Sequence, residues 1–241
     1  MKFTYLLIDL FSVMIPAIFS FHPKIRFCEK FKAFFAANAV SAICFISWDV
    51  AFTAKGIWGF NEQYIMGLHF LNLPVEEVLF FFCIPFACLF TYHCFITVFR
   101  KGPKEKRVTG ISICVLFIAG IFFWENTYTA ATFISTALLL FVCRYVLHID
   151  WAGRVYKVYA LLLIPFLVVN GILTGTGLQE PIVWYNNNET MNFRILTIPF
   201  EDVFFGFELI FMTTFFYELF QNLLDRKKQK LPEERFVTIN Q

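Results

Sequence analysis

Long apolar runs separated by short polar segments dominate this sequence. Seven of the runs approach the roughly 20 largely apolar residues that an α-helix needs to cross a bilayer. They cover approximately residues 3–21, 32–54, 75–99, 108–124, 128–148, 156–174 and 199–221. The pattern predicts an all-α integral membrane protein with seven transmembrane helices.

The composition agrees with this fold class. Hydrophobic residues make up 59% of the chain and charged residues only 16%, whereas a soluble domain carries about 25% charged residues. Phenylalanine alone supplies 35 of the 241 residues. Such a chain cannot hide its apolar surface in one soluble core, so the bilayer is the expected solvent. The net charge of +2 is too small to indicate a nucleic-acid partner.

The seven cysteines lie mostly within apolar runs and form no CxxC pair. This usage is typical of free thiols that pack as small hydrophobic side chains, not of a disulfide framework or a metal site. The first apolar run contains Asp9 and ends without a small-residue cleavage site. We therefore interpret it as an uncleaved first span.

Basic residues follow every second apolar run and so predict the orientation of the chain. The clusters comprise Lys24, Arg26, Lys30, Lys32, Arg100, Lys101, Lys104, Lys106, Arg107, Arg154, Lys157, Arg226, Lys227, Lys228 and Lys230. The alternate loops carry only Lys55 and Arg194. Because cytoplasmic loops are enriched in Lys and Arg, the N-terminus is predicted outside and the C-terminus in the cytoplasm. The expected location is the inner (cytoplasmic) membrane.

One stretch of the chain, residues 73–82, recurs at 198–207, a shift of 125 positions (198 minus 73). The matched pairs include Pro74 with Pro199, Glu76 with Glu201, and Glu77 with Asp202. Each copy opens the third apolar run of a three-run unit, and the fourth run lies between the units. The sequence thus predicts two parallel three-helix repeats joined by a linking helix. The boundaries are 1–105 for the first repeat, 106–126 for the linking transmembrane helix, 127–225 for the second repeat, and 226–241 for a cytoplasmic tail.

Two weaker matches extend the repeat upstream of the doubled stretch. Phe3 and Thr4 align with Tyr128 and Thr129 at the same shift of 125 (128 minus 3). Asp49 aligns with Asn170 at a shift of 121 (170 minus 49).

The acidic doublets Glu76-Glu77 and Glu201-Asp202 are the strongest candidates for chemistry. Acids behind a proline are also a common helix start, favoured by the helix dipole. Their recurrence beside nearly uncharged runs favours function, because acids in or near a membrane are costly. Neighbouring helical residues point about 100° apart, so we expect one acid of each doublet to act and the other to support it. Two carboxyl groups close together in an apolar site leave one protonated near neutral pH.

Other polar residues near the doublets are candidate supports. Glu208 follows Glu201 by seven residues and so shares its helical face. Asp49 and Asn170 either serve the site or simply bond a neighbouring helix. Arg194 and His69 precede the doublets and either pair with the acids or extend to the outer interface. Two further residues, Tyr92 and Tyr217, fit an interfacial aromatic belt.

Motifs for cofactors and metals are absent from the sequence. It contains no dinucleotide-binding, P-loop or zinc-protease motif. The last apolar run contains no lysine, which argues against a retinal Schiff base. We therefore predict no cofactor and no metal.

The doubled Pro-x-Glu-Glu/Asp motif, with Trp48-Asp49 and Phe60-Asn61 upstream, resembles the lycopene cyclase family of the carotenoid pathway, in its heterodimeric or fused form. The resemblance covers all seven runs, and this chain is similar to the fused form, in which both three-span units lie on one polypeptide. Asn170 stands where the first half has Asp49, and Asp202 where it has Glu77. The two halves are therefore not expected to be catalytically equivalent.

The resemblance implies an integral-membrane lycopene β-cyclase, an isomerase that converts the ends of lycopene to β-rings without a cofactor. Such chemistry needs an acid, a base and a dry aromatic lining for a carbocation. We expect one composite cavity between the halves, near the outer face, that holds one substrate end at a time. Glu76 and Glu201 are the first candidates for acid and base, with Glu77 and Asp202 in support.

Several alternatives remain open at this point. A transporter or receptor also suits a parallel repeat with intramembrane acids. Within enzymes, the sequence is also compatible with a cyclase of C50 carotenoids or one that forms ε- or γ-rings. Whether one or both substrate ends react, and whether the chain forms a homo-oligomer, is likewise left open.

Overall fold

A computed structural model describes residues 2–96 and 105–239 of the chain, with the side chains of 2–96 and 106–227. These residues form seven α-helices: α1 (Thr4–Phe19), α2 (Phe31–Ala54), α3 (Val75–Phe95), α4 (Glu105–Phe122), α5 (Thr127–Phe141), α6 (Ala152–Leu173) and α7 (Glu201–Ile239). A 3₁₀ turn at Phe27–Lys30 leads into α2, and a π-helical turn at Val142–Val146 extends α5. The predicted all-α class is confirmed.

Five helical segments of the described chain are long and apolar enough to cross a membrane. They are Phe27–Ala54, Val75–Phe95, Thr127–Val146, Ala152–Leu173 and Glu201–Lys227. Helix α1 is a shorter apolar helix of 16 residues. Large apolar side chains cover the outside of the bundle, and Phe11, Ile18, Ile118 and Ile164 are each more than 60% exposed. So extensive an apolar exterior identifies a membrane protein.

Some sequence predictions fall where the structure gives no description. The end of the third predicted span, the basic residues Arg100, Lys101 and Lys104, and the last two residues of the predicted tail lie outside the described residues. The backbone of α7 continues as a helix through most of that tail, to Ile239.

Short strands connect the helices at the end of the bundle that holds the doublets. They are β1 (Trp58–Phe60), β2 (His69–Phe70), β3 (Leu73–Pro74), β4 (Val183–Tyr185), β5 (Arg194–Ile195) and β6 (Ile198–Pro199). The β2–β3 and β5–β6 hairpins match each other at the shift of 125. Even their strained turn residues agree, because Leu71 and Leu196 have φ values of 57° and 58°. The two copies of the motif therefore have one backbone conformation.

The remaining strand pair, β1 with β4, joins the two halves directly. Gly59 pairs with Trp184, flanked by Trp58 with Tyr185 and Phe60 with Val183. Gly59 and Trp184 are equivalent at the shift of 125. Trp58 pairs with Tyr185, the equivalent of Phe60, and Phe60 pairs with Val183, the equivalent of Trp58. This reciprocal pattern is that of a two-fold symmetric interface.

Helix packing follows the same relationship within each half. Helix α1 packs against α3, as α5 packs against α7, and α4 packs against α5. The helix contacts between the halves are unequal. Helix α2 packs along α7, whereas the equivalent pair, α6 and α3, is in contact over a much shorter stretch. The looser α3–α6 side leaves room for a cavity.

The predicted aromatic belt at Tyr92 and Tyr217 is wrong. Both side chains are buried, at 1% and 4% exposure. The Tyr92 hydroxyl donates to Glu218 Oε1 at 2.7 Å and so links α3 to α7. Because its hydroxyl has a hydrogen-bond partner inside the bundle, Tyr92 does not need to lie at the membrane–water interface to satisfy that group.

Candidate active site in a cavity between the two halves

An elongated cavity of about 280 Å³ lies between α1 and α3 of the first half and α6 and α7 of the second. Its lining extends from Glu77 to Thr91 on α3 and from Tyr159 to Leu173 on α6. Each stretch spans 14 helical steps (91 minus 77, and 173 minus 159), or about 21 Å. The cavity is therefore long and narrow.

Polar groups line the end of this cavity that is nearest the β-strands. They are Tyr5, Asp49, Trp58, Glu77, Tyr128, Asn170, Tyr185 and Asp202. The walls beyond them are mainly apolar and include Phe81, Ile84, Phe166, Leu209 and Ile210. The site thus combines a polar head with an apolar channel.

The two acids of each doublet have different environments. Glu77 and Asp202 line the cavity, whereas Glu76 and Glu201 are fully buried and are not part of its lining. Glu76 accepts a hydrogen bond from the Met66 amide, and Glu201 from the Met191 amide, both at 2.7 Å. The first acid of each doublet fixes the preceding loop to its helix, and the second faces the cavity.

The Glu76 carboxyl has a further acidic neighbour that sequence reasoning missed. Asp9 of α1 interacts electrostatically with Glu76 and is fully buried. Neither oxygen of Asp9 has a hydrogen-bond partner among the described residues. In the second half, Glu201 accepts instead from the Thr129 hydroxyl.

Glu77 has a second carboxyl group as its neighbour at the cavity head. The Tyr5 hydroxyl donates to Glu77 Oε2 at 2.5 Å, and the Asp49 carboxyl lies within hydrogen-bonding range of Glu77. Asp49 Oδ1 accepts from the Trp58 indole N–H. Asp49 Oδ2 has no N–H or O–H donor within the described part of the chain. Since a carboxylate only accepts, a hydrogen bond between two carboxyl groups requires a proton on one of them.

Asp202 has an entirely different set of neighbours. Its Oδ1 accepts from the Tyr128 hydroxyl at 2.6 Å, and its Oδ2 accepts from Asn170 Nδ2 at 2.8 Å and from the Tyr185 hydroxyl at 3.0 Å. Burial, followed by the charge of Asp202, raises the pKa of Tyr185 well above 10. Tyr185 therefore keeps its proton and remains a donor at neutral pH.

The structure corrects one of the weaker sequence matches and supports the other. Tyr5 and Tyr128 donate to the second acid of their respective doublets, so the equivalent positions are related by 123 residues (128 minus 5). The pairing of Phe3-Thr4 with Tyr128-Thr129 is wrong, because the connection from this tyrosine to the doublet is two residues longer in the second half (202 minus 128 against 77 minus 5). Asp49 and Asn170 do occupy matching places, each beside the cavity-facing acid of its own half.

The pairing of Arg194 and His69 with the doublet acids, one of the two alternatives that the sequence left open, is wrong. The His69 ring lies 3.4 Å from Glu62. Arg194 donates to the Thr197 carbonyl and to Asn187 Oδ1, both at 2.8 Å. Both residues belong to the β-hairpins, which direct their side chains toward polar loop partners. Arg194 reaches the site only indirectly, because its guanidinium lies 5.9 Å from the centre of the Tyr185 ring.

Glu208 also lies away from the cavity. It accepts from the hydroxyls of Ser135 at 2.8 Å and Thr136 at 3.2 Å. It shares the α5-facing side of α7 with Glu201, as the spacing of seven predicts. That side is not the one that lines the cavity.

Aromatic rings close the polar head of the cavity. Phe205 lies 5.1 Å from Phe45, 5.7 Å from Trp48, 6.1 Å from Trp58 and 6.3 Å from Tyr128 between ring centres. A cation that lies over the face of one of these rings, within about 6 Å of its centre, would be attracted by it. The abundance of phenylalanine gave no sign of which rings enclose the site.

The described residues contain no group of three or more His, Cys, Asp or Glu side chains that could hold a metal ion. The carboxyl and tyrosine hydroxyl groups at the cavity head are suited to acid–base chemistry on an apolar molecule.

Comparison with known protein families identifies the chain. The lycopene cyclase family model matches residues 2–95 and 125–220. The chain belongs to the lycopene cyclase family. Each matched segment contains one acidic doublet, and residues 96–124, between them, contain α4. Membership makes the protein a carotenoid cyclase, as the resemblance implied. No curated protein and no solved structure matches the chain.

Proposed function

We propose that the protein is a lycopene β-cyclase that forms β-rings by proton transfer alone, giving γ-carotene and then β-carotene. The observation that carries this proposal is the position of Glu77 and Asp202. These equivalent acids from the two halves line the head of one aromatic-walled, elongated cavity.

The reaction requires one proton to enter and one to leave. An acid protonates C2 of the terminal C1–C2 double bond and leaves a cation at C1. The electron pair of the C5–C6 double bond then forms the C1–C6 bond, and the cation moves to C5. A base removes the proton on C6 to give the ring double bond. No electrons are gained or lost, so a carboxylic acid and a carboxylate are sufficient.

The cavity dimensions fit one end of a long hydrocarbon. A volume of about 280 Å³ is at the lower limit of pockets for drug-sized ligands, about 300–1,000 Å³. A C40 carotenoid is therefore held by one end, with the rest of the polyene along the apolar channel. Its two ends react in separate binding events. The rings around Phe205 stabilise the intermediate cation, and their packing excludes the water that would capture it.

Among the four acids, we propose that Glu77 and Asp202 react with the substrate. Glu76 and Glu201 support them by holding the loops at Met66 and Met191 in place. This differs from the sequence-based ranking, because the hydrogen bonds of Glu76 and Glu201 direct their carboxyls to the loops.

We also propose that the protein lies in the cytoplasmic membrane with its N-terminus outside. Exposed Lys24 and Arg26 follow α1 at the end of the bundle opposite the doublets. With cationic loops inside, the cavity head lies toward the outer face. A carotenoid then enters from the bilayer.

The test is expression in cells that accumulate lycopene, followed by pigment analysis of the membrane fraction without added cofactor. We expect β-carotene, with γ-carotene as the intermediate. Unchanged lycopene in cells that contain the folded protein would refute lycopene as the substrate. An ε-ring product would refute the proposed ring type.

A further inference from the structure

We propose that the two cavity acids have fixed and different roles: the Asp49–Glu77 pair delivers the proton, and Asp202 removes it. This assignment rests on the proposed cyclisation. It goes further, because it names a third acid and gives the reaction a direction across the cavity.

The first step concerns the group that holds a proton before substrate binds. Glu77 and Asp49 are neighbouring carboxyl groups that line the same buried cavity head, with 9% and 1% exposure, and a hydrogen bond between them requires one proton. The Tyr5 hydroxyl and the Trp58 N–H occupy one oxygen on each side. The pair therefore holds an acidic hydrogen next to the substrate.

The second step concerns the group that can accept a proton. Asp202 receives hydrogen bonds from three neutral donors, Tyr128, Asn170 and Tyr185. Both its oxygens are thus used as acceptors, which is the pattern of an ionised carboxylate. None of these three donors is a carboxyl group. Asp202 therefore does not share an acidic proton with any of them. It is equipped to take the proton from C6.

The third step explains why the two halves differ. At matching positions, the first half has Asp49 and the second has Asn170, and each lies beside the cavity-facing acid. An aspartic acid at this position shares a proton with its neighbour, whereas the Asn170 amide donates an N–H to Asp202 and has no acidic proton to share. A single difference between the repeats therefore makes one acid a donor and the other an acceptor.

The last step returns the proton after each turnover. Asp202 then carries a proton, and the Asp49–Glu77 pair lacks one. The Tyr185 hydroxyl is bonded to Asp202 and interacts electrostatically with Glu77 and Asp49. It is the hydroxyl through which the proton passes back.

Isotope exchange in D₂O tests the assignment. Membranes containing the wild type, Glu77→Gln, Asp49→Asn or Asp202→Asn are incubated with lycopene in D₂O, and the recovered lycopene and products are analysed by mass spectrometry. Glu77→Gln should lower β-ring formation at least about 100-fold and leave recovered lycopene unlabelled. Asp49→Asn should give the same pattern with a smaller loss.

Asp202→Asn should behave differently, although it also lowers β-ring formation at least about 100-fold. Its acid still protonates the substrate, and reversal returns lycopene that contains deuterium. Part of the cation should lose a proton elsewhere or capture water, giving ε-ring, γ-ring or hydroxylated products. Asp202→Glu, which retains a carboxylate, should restore part of the β-ring activity.

Glu218→Gln is the matched control, because it changes a carboxyl outside the cavity and keeps an acceptor for Tyr92. Its β-ring formation and the deuterium content of its recovered lycopene should match those of the wild type. Labelled lycopene from Glu77→Gln and unlabelled lycopene from Asp202→Asn would overturn the assignment, as would unlabelled lycopene from both. Absence of any product from the wild type would instead refute the proposed function.

Discussion

Gly59 pairs with Trp184, the residue 125 positions later, where the strands of the two halves meet. A side chain on Gly59 has no room, because a Cβ there would lie 2.4 Å from Cζ2 of the Trp184 indole. The contact between the halves thus depends on the difference between two equivalent residues. One supplies the ring and the other the space for it.

Gly59→Ala should therefore force the Trp184 ring, which is 42% exposed, to shift, and should destabilise the protein by about 1 kcal/mol, the low end of the cost of overpacking. The measurement is thermal unfolding of the purified protein in detergent. Adding Trp184→Ala should recover much of the lost stability, because it removes the clashing ring. Equal melting temperatures for wild type and Gly59→Ala would contradict the contact.

The two acids of the first doublet should respond differently to the same substitution. Glu77→Gln should abolish turnover by removing the acid that faces the cavity. Glu76→Gln keeps an oxygen that can accept from the Met66 amide, and we expect its activity to fall less than tenfold, well short of a general acid's contribution of about 100-fold or more. Pigment analysis normalised to protein in the membrane measures both. An equal loss in the two variants would show that the first acid also reacts.

The tyrosines on Asp202 should each contribute to catalysis. Tyr128→Phe and Tyr185→Phe each remove one hydrogen bond to a carboxylate, and such bonds contribute about 1.5–3 kcal/mol. The rate should fall about ten- to a hundredfold in each variant. Because the rings remain, the packing around Phe205 and Trp58 should be preserved.

Tyr92→Phe provides the comparison for these variants, since its hydroxyl binds Glu218 away from the cavity. It should lower the melting temperature and leave the rate per folded molecule unchanged. If Tyr128→Phe and Tyr185→Phe likewise affected only stability, their hydroxyls would have no part in the reaction.

Asn170→Asp should make the second half resemble the first. The new carboxyl would lie beside Asp202, and the two groups would share a proton, so the acceptor would be occupied. We expect a large loss of β-ring formation in a folded protein, while Asn170→Ala should lose only one hydrogen bond and keep more activity. Pigment analysis of the two variants side by side checks this order. The reverse order would contradict the role of the amide.

The sequence by itself determined the fold class, the repeat and the family. Seven apolar runs predict helices because bilayer thickness sets the required length. The doublets could be recognised because a helix start favours specific residues at adjacent positions. Their recurrence after 125 residues can be read from the sequence without any knowledge of tertiary contacts. Asp49 and Asn170 were also recognised as a matched pair from the sequence.

Only the tertiary structure decided which acid of each doublet faces the cavity. Adjacent residues on a helix point about 100° apart, and the sequence does not reveal which direction faces the partner half. The donors on Asp202 come from positions 128, 170 and 185, and their meeting depends on how α5, α6 and β4 pack around α7. The close α2–α7 packing and the looser α3–α6 side likewise follow from side-chain fit between distant segments. The acids can therefore be recognised in the sequence, while the direction in which each of them points is decided by the packing.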